Sequence, residues 1–187
     1  MTRPLALALA ALALAGCSMA DDESGLRTGE VPALAAPAGG FVLYSLRTGR
    51  AVGPDSAATT AWDIGFRGAE VVVNGGTSGP GAGVAVVVAA PYGDVTDGRL
   101  SDFAYRRDGD SACPEGPPRA VCPGELLAAS DGQVAPVPGR TLLLRLGDNS
   151  GFAKLEVTGY TGDAEGGTYA FRYTADVLGS SFVPDAE

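Results

Sequence analysis

Trp62-Asp63-Ile64-Gly65-Phe66-Arg67-Gly68-Ala69-Glu70-Val71-Val72-Val73-Asn74-Gly75-Gly76 decides the fold. Trp62, the only tryptophan of the chain, falls with Ile64 and Phe66 on one face of a period-two pattern, with Asp63 and Gly65 on the other. That alternation predicts a half-buried strand. Trp62, as the largest apolar side chain, is expected to nucleate a sheet-on-sheet core. Glu70 to Val73 ends in three valines and suits burial on both faces. Asn74-Gly75-Gly76 permits positive φ where that strand stops.

The same grammar continues outward. Phe41 to Leu46 reads as a strand, Arg47-Thr48-Gly49-Arg50 as a turn, and Ala51-Val52 as the return. Gly75 to Gly83 is expected to be a long β-hairpin loop leading into a strand at Val84 to Ala89. It lacks the Gly-Lys-Ser/Thr of a phosphate loop and opens into a strand rather than a helix. Thr141 to Leu146, the turn Asp148 to Gly151, and Phe152 to Val157 predict an antiparallel hairpin. In Thr168 to Thr174, Tyr169, Phe171 and Tyr173 share one face and Arg172 the other. Arg67 or Arg172 is placed to pair with Asp63 or Glu156 between strands. The middle, Pro91 to Pro138, is the least regular part, with one short helix expected at Glu125 to Ala129 and its aspartates in turns. The expectation is one all-β domain of antiparallel, sandwich-like sheets over residues 40–178, with a tail at 179–187.

The N-terminus reads differently. Arg3, the apolar run Leu5 to Leu14, and Leu14-Ala15-Gly16-Cys17 form a secretion signal, too short to span a bilayer. The Leu-Ala-Gly-Cys ending resembles the bacterial lipobox, which predicts cleavage after residue 16 and lipidation of Cys17. Residues 17–39 are rich in Ala, Pro, Gly and acids without periodicity, and are expected to form a flexible tether. Asp21-Asp22-Glu23 resembles the acidic signal that exports some lipoproteins to the cell surface, and reads equally well as a solvated part of the tether. An outer-membrane, lipid-anchored location is expected.

Composition narrows the chemistry. Of three cysteines, Cys17 is assigned to lipid, which leaves Cys113 and Cys122 to close a Pro/Gly-rich loop as a disulfide. Two cysteines without histidine cannot complete a structural zinc site. Removal of residues 1–16 leaves 171 residues with 12 basic and 22 acidic side chains, a net charge of −10 that repels nucleic acid. The chain has no histidine, so Ser-His-Asp, Cys-His and His-metal arrangements are excluded. Binding rather than catalysis is the expectation.

Phe41-x-Leu43-Tyr44-Ser45-Leu46-x-Thr48-Gly49, the opening stretch continued to Thr77, Gly151 to Val157, and Tyr169 to Tyr173 occur in an order and spacing that resembles the HmuY family. These are lipid-anchored haem-binding proteins of Bacteroidetes-type bacteria. The resemblance covers about Phe41 to Asp176 and implies an all-β domain with projecting hairpins that captures haem and passes it to an outer-membrane transporter for iron acquisition. In that family two histidines, or in some relatives methionines, from the variable middle hold the iron. This sequence has neither, since Met1 lies in the signal and Met19 in the tether. Haem iron also accepts tyrosine, and Tyr92 and Tyr105 are the tyrosines of the middle. The sequence therefore supports haem or porphyrin binding without the usual axial pair, with Tyr92 and Tyr105 as candidate haem ligands. The alternative is a non-haem ligand or a surface partner held on the same scaffold.

Overall fold

The computed structural model describes residues 25–99, 101–110 and 112–183, so the expected signal peptide and the expected lipidation site Cys17 lie outside the described residues. Eleven strands follow in order: β1 (Leu26–Ala36), β2 (Val42–Ser45), β3 (Arg50–Val52), β4 (Ile64–Arg67), β5 (Glu70–Val73), β6 (Ala85–Val88), β7 (Leu127–Ser130), β8 (Gln133–Pro136), β9 (Thr141–Arg145), β10 (Phe152–Gly162) and β11 (Gly167–Asp176). They form a five-stranded antiparallel sheet ordered β1-β11-β10-β9-β6, a four-stranded one ordered β3-β2-β4-β5, and the separate hairpin β7-β8. The all-β antiparallel expectation holds.

The core lies between the two large sheets. Tyr44, Ile64, Phe66, Val71 and Val73 of the smaller sheet meet Leu142, Leu144, Leu155, Tyr169, Phe171 and Tyr173 of the larger. Phe66 is its centre, with ring centroids 4.6 Å from Tyr169 and 5.4 Å from Phe171. Aromatic pairs at such spacings add to the burial of their area. The face alternation read for Tyr169, Phe171 and Tyr173 against Arg172 is realised, and Arg172 reaches across to Glu156 at 2.7 Å.

Trp62 is not in that core. It precedes β4 and packs with Leu43 and Val72 on the outer face of the smaller sheet, 1% exposed. The alternation breaks between Trp62 and Ile64 because Asp63 is committed elsewhere. Its fully buried carboxylate accepts the Leu46 amide at 2.8 Å and the Gly147 amide at 2.9 Å, and pairs with Arg47 at 3.2 Å. It thereby ties β2 to the β9-β10 loop. Desolvation raises its pKa, against the opposing pull of Arg47 and the two amides. Asp63 thus pairs with Arg47, and Arg67 with Glu70.

Four further expectations need correction. Residues 26–36, read as tether, form edge strand β1, which pairs with β11 from Leu26↔Asp176 to Ala36↔Gly167 with a bulge between Val31 and Leu34. Burial of Leu26, and the packing of Val31 and Leu34 on the core, hold it there. Gly75 to Gly83 is not a hairpin loop, since β5 and β6 belong to different sheets. The buried Asn74 side chain donates to Thr59 O at 2.9 Å and Trp62 O at 2.8 Å and accepts from Gly81 N at 3.0 Å, folding the loop back across the sandwich. At Gly76, φ is +62° against the Asp108 backbone, where a Cβ has no room.

The helix expected at Glu125 to Ala129 is instead the start of β7. Glu125 turns its carboxylate back to the Cys122 amide at 2.7 Å, and Asp131-Gly132, with φ of 52° and 77°, closes a two-residue hairpin into β8. Of the expected tail, residues 179–183 are packed, and the remainder lies outside the described residues: Ser181 bridges to Asp97, and Phe182 is 6% exposed beside Val95 and Leu143.

Candidate binding site

The irregular middle divides over two places. Residues 92–105 cover the outer face of the larger sheet, and residues 113–136 cover one end of the sandwich.

On the outer face, Tyr92 and Tyr105 are both embedded. The Tyr92 hydroxyl is 2.7 Å from Thr174 Oγ1, and its ring lies 4.3 Å from Lys154 Nζ and 4.5 Å from the Arg172 guanidinium carbon. The Tyr105 hydroxyl donates to Gly98 O at 2.6 Å, and its ring packs against Phe152 and Phe103. Burial pushes the Tyr92 phenol up to about 12 and the Tyr105 phenol higher still. A phenolate is therefore disfavoured at both. An open cleft of about 930 Å³ runs beside Tyr92 along the β1 edge toward β3, floored by Tyr44 and Tyr173. Tyr105 does not line it.

The end of the sandwich is built differently. Here the β4-β5 turn, the tip of the β10-β11 hairpin, the loop closed by the Cys113–Cys122 disulfide, and the β7-β8 hairpin converge. Gly68, at φ +50°, lets the β4-β5 turn pass against the hairpin tip, where Ala69 N donates to Ala164 O at 3.2 Å. Asp108, fully buried, clamps the loop to the sheet, since its carboxylate accepts Val73 N at 2.9 Å and Ala120 N at 2.7 Å. Arg106 adds an ion pair to Glu125 and a contact to Cys122 Sγ at 3.0 Å.

These elements line a half-open pocket of about 490 Å³, within the range of small-molecule sites. Val71, Val121, Leu126, Leu127 and Val134 form an apolar wall. Arg67, Glu70 and Arg119 form the polar rim. Glu70 Oε1 accepts from Arg119 Nε at 2.8 Å and Nη2 at 2.6 Å, while Oε2 takes Arg67 through its Nε at 3.1 Å and its Nη2. The Arg67 guanidinium also stacks 4.5 Å from the Phe41 ring centroid.

This architecture has solved counterparts. The apo form of the HmuY analogue of Tannerella forsythia superposes with a TM-score of 0.53 at 16% identity, over 83% of this chain and 99% of that one. The fold is that of HmuY. A candidate HmuY-like haem-binding protein from Bacteroides vulgatus (TM-score 0.47, 14% identity, 84% and 96% covered) and a candidate lipoprotein from Bacteroides fragilis (0.46, 16%, 87% and 96%) are further structural neighbours. No protein-family model and no curated protein matches the sequence.

Within this HmuY-type fold, the sequence-predicted site residues separate. Cys113 and Cys122 form the disulfide, and Cys122 lines the pocket at the hairpin end. Tyr92 and Tyr105 do not line it. The lining includes no histidine, methionine or tyrosine, and its one cysteine is disulfide-bonded. A porphyrin's apolar body and peripheral carboxylates suit this wall and rim. Its iron would find no axial side chain there. Among the described residues no group of three His, Cys, Asp or Glu could hold a metal ion, and no helix is long and apolar enough to cross a membrane. The Arg67–Glu70–Arg119 cluster has no local sequence signature, because Arg119 lies 49 residues from Glu70.

Proposed function

We propose that the protein is a HmuY-type surface lipoprotein that binds haem or a related porphyrin for iron acquisition, gripping the macrocycle and its carboxylates rather than the iron. The observation that carries this reading is the half-open pocket at the hairpin end, apolar on its wall and arginine-bearing on its rim. The HmuY-type fold is its second support. Lipidation of Cys17, attachment to the outer membrane, and transfer to an outer-membrane haem transporter belong to the same proposal.

Titration with haemin and with metal-free protoporphyrin tests it. Both are expected to bind with comparable affinity and to quench Trp62 fluorescence, because no axial ligand favours the iron form. Absence of any Soret shift or quenching at micromolar porphyrin overturns the reading. Iron ligation through Tyr92 or Tyr105 would require either phenol to abandon Thr174 or Gly98 and to lose a proton that burial holds. A ferric-phenolate band abolished by Tyr92→Phe or Tyr105→Phe would establish that mode.

A second reading rests on the pocket's lack of an iron ligand. A non-haem apolar molecule then occupies the same site, and haemin leaves the melting temperature unchanged.

A further inference from the structure

Glu70 is the only carboxylate on the pocket rim, and two arginines share it. Each guanidinium meets Glu70 through its Nε and Nη2 edge, and neither spends Nη1 on that carboxylate. The rim thus holds one positive charge in excess, on a chain whose net charge is −9. The neighbouring Arg106–Glu125 pair is balanced and does not offset it. Arg119 is also held in place: the disulfide closes its loop, and Asp108 fixes the adjacent Ala120 amide. A pre-positioned fork of this kind suits a carboxylate or sulfonate.

From this we infer that the pocket selects apolar molecules bearing an anionic group, with Arg119 and Arg67 as the anion-recognising residues and Glu70 as their internal competitor. The inference rests on the pocket reading above but not on the ligand's being a porphyrin. An apolar body fills the wall of valines and leucines, and its anionic group displaces part of Glu70's hold on the two guanidiniums. Specificity then comes from the charge, because an apolar wall alone discriminates weakly.

Two dyes sharing one aromatic body test this on the purified protein by fluorescence: 1-anilinonaphthalene-8-sulfonate, an anion, and neutral N-phenyl-1-naphthylamine. The anion is expected to bind about tenfold tighter or more, the effect of one charge-assisted hydrogen bond. Arg119→Gln and Arg67→Gln should close that gap by weakening the anionic dye far more than the neutral one. Glu70→Gln should widen it, a change opposite in sign to what general loss of structure would give. Equal binding of the two dyes, a gap that survives both arginine substitutions, or no binding of either dye overturns the inference.

Porphyrins separate this from the proposed function. If protoporphyrin and its dimethyl ester bind equally, the pocket reading stands and anion selection fails. If neither porphyrin binds while the dye gap behaves as expected, anion selection stands and the porphyrin reading fails.

Discussion

Lys154 Nζ donates to the Tyr92 carbonyl oxygen at 3.0 Å while lying 4.3 Å from the centroid of the same residue's ring. It also donates to Val95 O at 2.8 Å and is 6% exposed. The only lysine of the chain is thus a peg that fastens residues 92–95 to the outer face of β10. Lys154→Ala removes both charge-assisted bonds and leaves two carbonyls short of a donor. We expect a loss of about 2–3 kcal/mol, read by urea denaturation. Loss of protection in residues 92–98 by hydrogen exchange should accompany it.

Alkali should unfold the protein through its phenols. Burial raises Tyr92 from 10.0 to about 12, and it also raises Tyr105 and Tyr169. The folded state therefore holds these protons more tightly than the unfolded one. Their contribution is complete below pH 10 and is lost as pH rises toward 12 and beyond. The melting temperature is expected to fall across that window, less steeply in Tyr92→Phe. Lys154 acts with opposite sign: burial, then Arg172, lower its pKa, so its contribution rises with pH below 10.5. Lys154→Ala should accordingly flatten the rise of stability with pH below 10.5 and leave the decline above it to the phenols.

Asp108 satisfies two buried amides from segments far apart in sequence, Val73 N and Ala120 N. Asp108→Ala orphans both. A cost of about 2–4 kcal/mol follows if each unsatisfied amide costs about 1–2 kcal/mol. Because Ala120 adjoins Arg119, the same variant should weaken anionic-dye binding under conditions where it remains folded. Thermal unfolding and dye titration together check it.

Strand β1 makes a truncation test. A chain beginning at Gly40 lacks residues 26–39 and leaves the β11 edge unpaired from Gly167 to Asp176. An uncovered edge of that length invites strand-to-strand association. Size-exclusion chromatography should show aggregates for the chain beginning at Gly40 and a single species for one beginning at Gly25.

The sequence made some of this legible and hid the rest for physical reasons. β9, β10 and β11 could be read directly because one face of each is committed to the core, which imposes alternation. β1 could not, because an edge strand exposes much of both faces, and Pro32 and Ala33 at its bulge interrupt the period. Trp62 falls on the expected strand pattern but on the opposite side, because Asp63 and its three partners set the backbone before β4 begins. Asp131-Gly132 was a hairpin signal in plain sight, overlooked beside a run of helix-forming residues. The pocket rim had no local signature, since Glu70 and Arg119 meet only once the disulfide loop has folded over β5.

β1 also fixes which way the molecule faces. Its first residues lie beside the last described ones, for Val177 N donates to Gly25 O at 3.1 Å and Ser181 N to Asp176 Oδ2 at 3.1 Å. Its last residue, Ala36, accepts from Gly68 N at 3.2 Å beside the pocket. An eleven-residue strand separates the two ends by about 30 Å. A label attached at Gly25 or at Val183 would therefore sit at the pole of the sandwich opposite the pocket.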